Sequence, residues 1–357
     1  MEDILKSALN NTSTRKVEAD DEEQIKIAVI GVGGAGNNTV NRLSRMGVKG
    51  AELIAINTDR QHLNTLDDGI KKILIGKSVT RGLGAGGYPE VAAKSAQADR
   101  PALEAALSGT HMVFVCAGMG GGTGTGAAPI IAQIARDAGA IVVAMVTYPF
   151  ALERARTVKA DDGIALLRQT ADSVIIVDNN RLTQLVPNLP LNQAFTVADE
   201  ITARAVDGLV FTITQPSLVN IDFADVRAIM TGGDIGMIAV GTGKGNNKVD
   251  DAVRGVMENR LLDVDYAGAK GALLHIAGGP DLTLGDAIAA GEKITEQMDP
   301  HASVKWGARL VPEFESKIEV TAIVTGVTSP HITGRQQAIA SQKAVANHAS
   351  GLDIEVF

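Results

Sequence analysis

Two glycine-rich loops constrain the fold of this chain more than any other feature. GVGGAGNN (31–38) and GMGGGTGTG (118–126) each follow a short apolar run and precede a helical pattern. Glycine costs up to ~1 kcal/mol per residue inside a regular element, so such clusters require a reason other than packing. Glycines allow the backbone to approach a phosphate closely, and the following helix offers free N–H groups at the positive end of its dipole. The two loops therefore predict phosphate binding.

The apolar runs around these loops predict a parallel sheet. They are continuous rather than alternating, which is typical of strands buried on both faces. The runs are 25–30, 52–56, 72–75, 112–117, 141–147 and 173–178. Helical patterns at 38–46, 127–138 and 158–169 separate some of them, and Pro129 is expected in the first turn of its helix. Strand–helix alternation of this kind predicts a doubly wound α/β domain.

The pattern changes after residue 190, which predicts a second domain. A long helix is expected over 191–213, followed by a smaller α+β domain over 214–328. In that domain we expect strands at 235–241, 271–277, 304–311 and 318–327, with helices at 248–261 and 285–298. The first domain would span 25–190. Residues 1–24 predict a flexible, acidic arm and residues 329–357 a flexible tail.

Composition excludes several functional classes. The net charge is −8, from 33 Lys and Arg against 41 Asp and Glu, which argues against a nucleic-acid binder. Cys116 is the single cysteine, so an intramolecular disulfide and a multi-cysteine metal site are excluded. No apolar run reaches the ~18–20 residues of a membrane span, so we expect a cytoplasmic protein without membrane insertion. The six histidines show no metal-ligand spacing and are expected to be scattered surface or core residues.

The number of glycine loops separates two types of nucleotide site. Residues 31–36 satisfy GxGxxG, and Asp59 ends the next strand, as in a dinucleotide-binding oxidoreductase. A dinucleotide site leaves the second glycine loop unexplained. A nucleotide with a longer phosphate chain, held from two sides, would use both loops. A third turn, GLGAGG (82–87), could close over the terminal phosphate. GKS (76–78) is not the end of a P-loop, because Lys71 stands where that motif requires glycine.

These motifs, taken in order, resemble the FtsZ proteins, the prokaryotic cell-division GTPases of the tubulin superfamily. The resemblance rests on GVGGAGNN, NTD (57–59), GLGAG (82–86), GGGTGTG (120–126), PF (149–150) and NIDFAD (220–225), and it spans 25 to about 328. ERAR (153–156) and the terminal GLDIEVF (351–357) are more similar to archaeal than to bacterial members. The resemblance implies a tubulin-like fold and GTP hydrolysis.

The resemblance also implies a role for each site residue. Glu153 would bind the ribose and Phe195 would stack on the base, while Asn179 and Asp199 would read the guanine edge. The family's arginine position falls on Thr157, one residue beyond Arg156, and we assign the contact to Arg156. The full set expected to bind GTP is Gly33, Gly34, Ala35, Gly36, Asn37, Asn38, Asp59, Gly84, Ala85, Gly86, Gly120, Gly121, Gly122, Thr123, Gly124, Thr125, Gly126, Glu153, Arg156, Asn179, Phe195 and Asp199. Without the resemblance, Asn179 would be a strand-end residue, Asp199 a solvated helix charge and Phe195 a core residue.

The resemblance assigns catalysis to Asn220, Asp222 and Asp225, which would act on GTP held by a neighbouring subunit in a head-to-tail filament. Read alone, Asp222 could merely cap the helix that follows it. Mg²⁺ is expected on the phosphates rather than on side chains. The tail end 351–357 would bind a membrane adaptor at the mid-cell division site. A tubulin-like paralogue that binds GTP without efficient turnover is the alternative.

Overall fold

The first six strands form one parallel sheet. The structure, a computed structural model, describes residues 25–214, 218–219, 222–231, 235–258 and 267–327. The predicted arm 1–24, the tail 329–357 and Asn220 lie outside these residues. The sheet order is β3-β2-β1-β4-β5-β6. Its strands are β1 (Ile27–Val32), β2 (Ala51–Asn57), β3 (Lys71–Leu74), β4 (Met112–Gly118), β5 (Ile141–Tyr148) and β6 (Ser173–Asp178).

This sheet confirms the predicted doubly wound fold. Every residue of β1 and β6 is buried, as the continuous apolar runs predict for strands covered on both faces. Cys116 lies within β4, where burial raises the pKa of its thiol to about 12 and leaves it unreactive. The strand order reverses between β1 and β4, and crevices at such switch points are where α/β proteins bind ligands.

The helices of this domain begin earlier than the sequence pattern predicts. They are α1 (Gly33–Met46), α2 (Arg60–Asn64), α3 (Lys77–Thr80), α4 (Pro89–Ala98), α5 (Arg100–Leu107), α6 (Thr123–Asp137), α7 (Ala155–Thr170) and α8 (Asn179–Leu185). Both glycine loops already take helical conformation at their ends. The placement of Pro129 in a first turn is therefore wrong: it lies inside α6, more than one turn after Thr123.

A long helix joins the first domain to a smaller α+β domain with a mixed sheet. The joining helix is α9 (Leu191–Thr214). The sheet order is β7-β10-β8-β9, antiparallel except for the parallel pair β8 and β9. The elements are α10 (Phe223–Met230), β7 (Gly236–Lys244), α11 (Lys248–Met257), β8 (Gly271–Gly278), α12 (Leu284–Thr295), β9 (Ser303–Leu310) and β10 (Lys317–Thr325). The fold class predicted from the sequence is thus confirmed in both parts.

Helix α9 contacts both parts of the molecule. Arg42 of α1 forms an ion pair with Glu200 of α9. Near the other end of α9, a Cβ placed on Gly208 would lie 3.1 Å from the hydroxyl of Thr321 on β10. Among the described residues, no helix is long and apolar enough to cross a membrane.

Helix α1 packs so closely on the sheet that side chains are excluded at the contact. A Cβ on Gly36 would lie 2.0 Å from the carbonyl oxygen of Cys116, and a Cβ on Gly31 would lie 2.4 Å from the carbonyl oxygen of Gly36. Both obstacles are backbone atoms, which cannot move aside as a flexible side chain would. The contact fixes the start of α1 at the carboxyl edge of β1 and β4.

We expect Gly36→Ala to lower the free energy of unfolding by about 1–3 kcal/mol, because overpacking forces backbone shifts. Urea denaturation measures the change. Gly285→Ala is the control, since Gly285 also lies in a helix but its added Cβ would meet nothing closer than 3.7 Å. That control should keep or raise stability. Equal denaturation midpoints for Gly36→Ala and wild type would contradict the packing argument.

Candidate nucleotide site

A cavity of about 1170 Å³ opens at the carboxyl edge of the parallel sheet. Its walls come from the loops after β1, β2, β4, β5 and β6, together with the first part of α9. The glycine-rich loops line one end, and apolar and amide side chains line the other. The cavity therefore lies where the strand-order reversal predicts a ligand site.

Two helix N-termini meet at the first end of this cavity. Helices α1 and α6 begin here, and neither Val32 nor Gly122 at the N-cap positions makes a side-chain capping hydrogen bond. The backbones touch, since a Cβ on Gly33 (φ +74°) would lie 2.8 Å from the amide nitrogen of Gly124. The first N–H groups of a helix have no partner within the helix, so two uncapped ends form a ready anion site.

The third glycine turn closes the same end. The Gly84 N–H donates to the Thr58 carbonyl at 3.1 Å, and the Thr58 and Thr123 hydroxyl oxygens are 2.8 Å apart. Asp59 caps α2, its Oδ1 accepting from the Gln61 N–H at 2.8 Å. Asp59 thus lies beside the third glycine turn, where it pairs with Leu83 through an isolated β-bridge.

The far end of the cavity has the features of a base site. Phe195 packs edge-on against Phe150, with ring centroids 5.9 Å apart. Asn179 and Asp199 line the wall beside them. Burial raises the pKa of the Asp199 carboxyl to about 6, only partly opposed by the charge of Arg42. A buried carboxylate with this environment is suited to accept hydrogen bonds from a ligand's N–H groups.

Glu153 and Arg156 form a pair between the two ends. The Glu153 carboxylate accepts from the Phe150 N–H at 3.0 Å and from the Arg156 guanidinium at 2.5 Å. Between them Arg154 adopts φ 28°, a strained conformation for a residue with a Cβ, of the kind that clusters at functional sites. Arg156 lines the cavity, which supports its choice over Thr157.

Most of the residues predicted from the sequence come together in this cavity. Those that line it are Gly34, Ala35, Asn38, Asp59, Gly84, Gly121, Gly122, Thr123, Gly124, Glu153, Arg156, Asn179, Phe195 and Asp199. Seven of the remaining predicted residues are buried behind this lining: Gly33, Gly36, Asn37, Ala85, Gly120, Thr125 and Gly126. Gly86 is exposed and does not line the cavity.

The residues behind the lining shape the loops. Thr125 accepts a hydrogen bond at 2.9 Å from the Gly120 N–H, and a Cβ on Gly126 would lie 1.9 Å from the Pro89 carbonyl. Asn37 is fully buried, and neither polar atom of its amide has a partner. Two buried, unpaired amide atoms directly beneath the phosphate loops fit a site completed by a polar ligand or its waters.

Other lining residues were missed by the sequence reasoning. His62 lies on α2 beside Gly34, and its Nε2 is buried without a partner. Residue spacing alone gives no signal for it. Asn57 and Thr147, at the ends of β2 and β5, could have been found from their place at the carboxyl edge. His275, in contrast, is a buried core residue as expected.

The acidic residues predicted to be catalytic lie at the opposite edge of the sheet. Asp222 caps α10, its Oδ1 accepting from the Asp225 N–H at 2.6 Å. The neighbouring Phe223 packs edge-on against His111, with centroids 6.2 Å apart, and His111 directly precedes β4. Gly118 at the other end of β4 lines the cavity. At ~3.3 Å per residue, the seven residues of β4 separate the acidic residues from the cavity by roughly 20 Å.

Side chains alone do not form a metal cluster here. In the part of the chain that the structure describes, there is no group of three or more His, Cys, Asp or Glu residues that could hold a metal ion. Asn38 and Asp59 line the cavity and carry side-chain oxygen atoms, the ligand type that Mg²⁺ prefers.

Comparison with known proteins identifies the two domains. The family model of the Tubulin/FtsZ family GTPase domain matches residues 26–187, and that of the FtsZ family C-terminal domain matches 234–328. The first glycine loop thus belongs to a GTPase domain and not to a dinucleotide-binding oxidoreductase.

Individual relatives agree over nearly the whole chain. Cell division protein FtsZ 2 of Methanocaldococcus jannaschii is 56% identical over 335 residues, covering 93% of this chain and 88% of that protein. The protein of the same name from Haloferax volcanii is 47% identical over 360 residues, covering 98% and 90%. An empty dimer of M. jannaschii FtsZ superposes with a TM-score of 0.79 at 42% identity, covering 91% of this chain and 92% of that one. The chain therefore belongs to the tubulin/FtsZ family, and within it to the archaeal FtsZ cell-division GTPases.

Proposed function

We propose that the protein assembles head to tail into filaments and hydrolyses GTP only where two subunits meet. The observation that supports this most directly is the position of Asp222 and Asp225, at the edge of the sheet opposite the nucleotide cavity. Their carboxylates cannot reach the nucleotide of their own subunit across roughly 20 Å of β4. A second copy stacked on the first would bring these residues to the open cavity.

Such stacking joins two different surfaces of the same protein. A contact of this kind is heterologous and continues into a filament instead of closing into a symmetric dimer. The M. jannaschii relative that was solved as a dimer is consistent with self-association of this fold. Assembly would thus create the active site.

The residues of the cavity divide the recognition of GTP between them. The uncapped ends of α1 and α6 would bind the phosphates through backbone N–H groups. Glu153 would accept hydrogen bonds from the ribose hydroxyls. Asp199 would accept from the two N–H donors of guanine, which adenine does not present in the same arrangement, and Asn179 would complete that edge.

Hydrolysis requires a positioned water and stabilisation of the phosphoryl group. In the assembled site, Asp222 and Asp225 would orient and polarise the water that attacks the γ-phosphorus, giving GDP and phosphate. Mg²⁺ on the β- and γ-phosphates, near Asn38 and Asp59, would supply charge neutralisation when bound. Asn220, which lies outside the described residues, would complete the loop. Loss of the γ-phosphate would then weaken the contact between subunits that made hydrolysis possible.

The terminal segment 351–357, outside the described residues, would connect the filament to the membrane. GLDIEVF is short, acidic and apolar, which suits a peptide that folds onto a partner. We propose that it binds a membrane adaptor and so places the filament in the cytoplasm at the mid-cell division site.

Asp222→Asn should abolish most GTP hydrolysis while leaving GTP binding intact. Asparagine still caps α10, so the variant removes the charge and keeps the fold. Phosphate release against protein concentration, with light scattering in parallel, measures both turnover and assembly. Asp299→Asn, which changes another carboxylate that accepts a backbone N–H in the same domain, should retain activity.

Wild-type turnover and scattering should vanish together below a threshold concentration. Turnover strictly proportional to protein from the lowest concentration would contradict a shared active site. Filaments without turnover, unchanged by Asp222→Asn, would instead favour the paralogue that binds GTP without efficient hydrolysis.

Guanosine affinity should fall about tenfold between pH 7 and pH 5, because burial raises the pKa of the Asp199 carboxyl to about 6. At pH 5 this carboxyl is mostly protonated and cannot accept two N–H bonds. Guanosine avoids the titration of nucleotide phosphates. Calorimetry from pH 5 to 8 gives the profile, which should reach a plateau above pH 7. Asp199→Asn should bind weakly with a flat profile; a flat wild-type profile would remove Asp199 from the base site.

Removal of 351–357 should leave GTP hydrolysis unchanged, because both halves of the proposed site lie elsewhere in the chain. The same truncation should abolish recovery of the full-length protein's membrane adaptor from the native organism's extract. A scrambled 351–357 segment is the control for length and charge. Adaptor recovery by the truncated protein would contradict the role of the tail end.

A further inference from the structure

We propose that Lys305 is a positioning residue for GTP hydrolysis. It would hold the Asp225 carboxylate and offset its charge as the acidic loop (NIDFAD, 220–225) meets the nucleotide of another subunit. The inference rests on the proposed function, which leaves open how two carboxylates can approach a triphosphate without strong repulsion. Lys305 lies on β9, 80 residues away from Asp225 in the sequence.

The contact itself is close and involves both acidic residues. The Lys305 Nζ lies 2.7 Å from the Asp225 Oδ1. The hydrogen bond to Asp225 raises the pKa of Lys305, and the negative charge of Asp222 adds to the effect. The Lys305 ammonium is therefore charged at neutral pH.

Strand β9 also holds the other side of the acidic loop. The N–H groups of Leu218 and Val219 donate to the Ala308 carbonyl at 2.8 and 3.2 Å, and the Ala308 N–H donates to the Val219 carbonyl at 3.3 Å. Ala308 thus fixes the backbone before the loop, and Lys305 holds the Asp225 side chain at its end. One strand orients both flanks of the catalytic segment.

The charges around the loop come close to cancelling. Asp222 and Asp225 carry two negative charges, while Lys305 and Arg227 carry two positive ones, with Arg227 lying over the Phe223 ring at 5.6 Å. Without Lys305, the loop would bring a net negative charge to the phosphates. Like charges that approach across an interface slow association and weaken the complex, so this compensation favours productive docking.

The test compares turnover per assembled subunit in wild type, Lys305→Gln, Lys305→Glu and Lys305→Arg, with filament mass measured by sedimentation. We expect about a three- to tenfold loss for Lys305→Gln and a larger loss for Lys305→Glu, because reversal adds repulsion. Lys305→Arg keeps the charge and should retain most activity. Lys293→Gln is the matched control, since Lys293 also pairs with an exposed aspartate, Asp250, in the same domain.

GTP affinity of the unassembled subunits should be equal in all variants, because Lys305 lies far from their own cavity. Turnover per assembled subunit equal to wild type in Lys305→Gln would overturn the inference, as would failure of Lys305→Arg to restore it. Thermal unfolding separates loss of fold from loss of positioning. Wild-type turnover without a concentration threshold would overturn the proposed function and this inference together. A threshold in the wild type combined with normal turnover of Lys305→Gln would overturn this inference alone.

Discussion

The nucleotide site depends on a backbone contact that no side chain could enter. Gly36 lies against the carbonyl of Cys116 on β4, and Gly33 lies against the start of α6. These approaches bring two helix N-termini to the same point on the carboxyl edge of the sheet. Each end alone has free N–H groups, but only their convergence surrounds a phosphate chain from two sides. Glycine lowers the stability of a helix, but at these positions it allows the close backbone approach that the anion site requires.

Parallel strands give the sheet two chemically different edges, and the molecule uses both. The carboxyl edge holds the nucleotide cavity, while the amino edge, near His111, holds the acidic segment through Phe223. Because the sheet is rigid, bending cannot bring the two together within one subunit. Translation of a second copy along the strand direction would bring the acidic segment of one subunit to the cavity of the other. Under the proposed function, the distance between the cavity and the acidic residues within one subunit would make hydrolysis depend on assembly.

Local patterns predicted the strands well, because burial on both faces requires continuous apolar runs. Helix starts were placed too late at α1 and α6, since loop glycines with helical conformation give no periodic signal. The cavity residues at strand ends could be predicted from motifs, whereas His62 could not, because only the fold brings α2 beside Gly34. Lys305 shows the same limit: its partner is far away in sequence, and no spacing rule connects β9 with the acidic loop.

The two ends of the cavity contribute to binding in different ways. At the phosphate end, the N–H groups are already aligned, so binding requires little reorganisation. At the base end, the charge of Arg42 only partly offsets the desolvation of the half-buried Asp199 carboxyl, and the raised pKa reflects that cost. Under the proposed function, a guanine that donates two hydrogen bonds would relieve the cost, whereas adenine would leave the carboxylate partly unpaired. Discrimination between the bases would therefore arise from an unfavourable empty state.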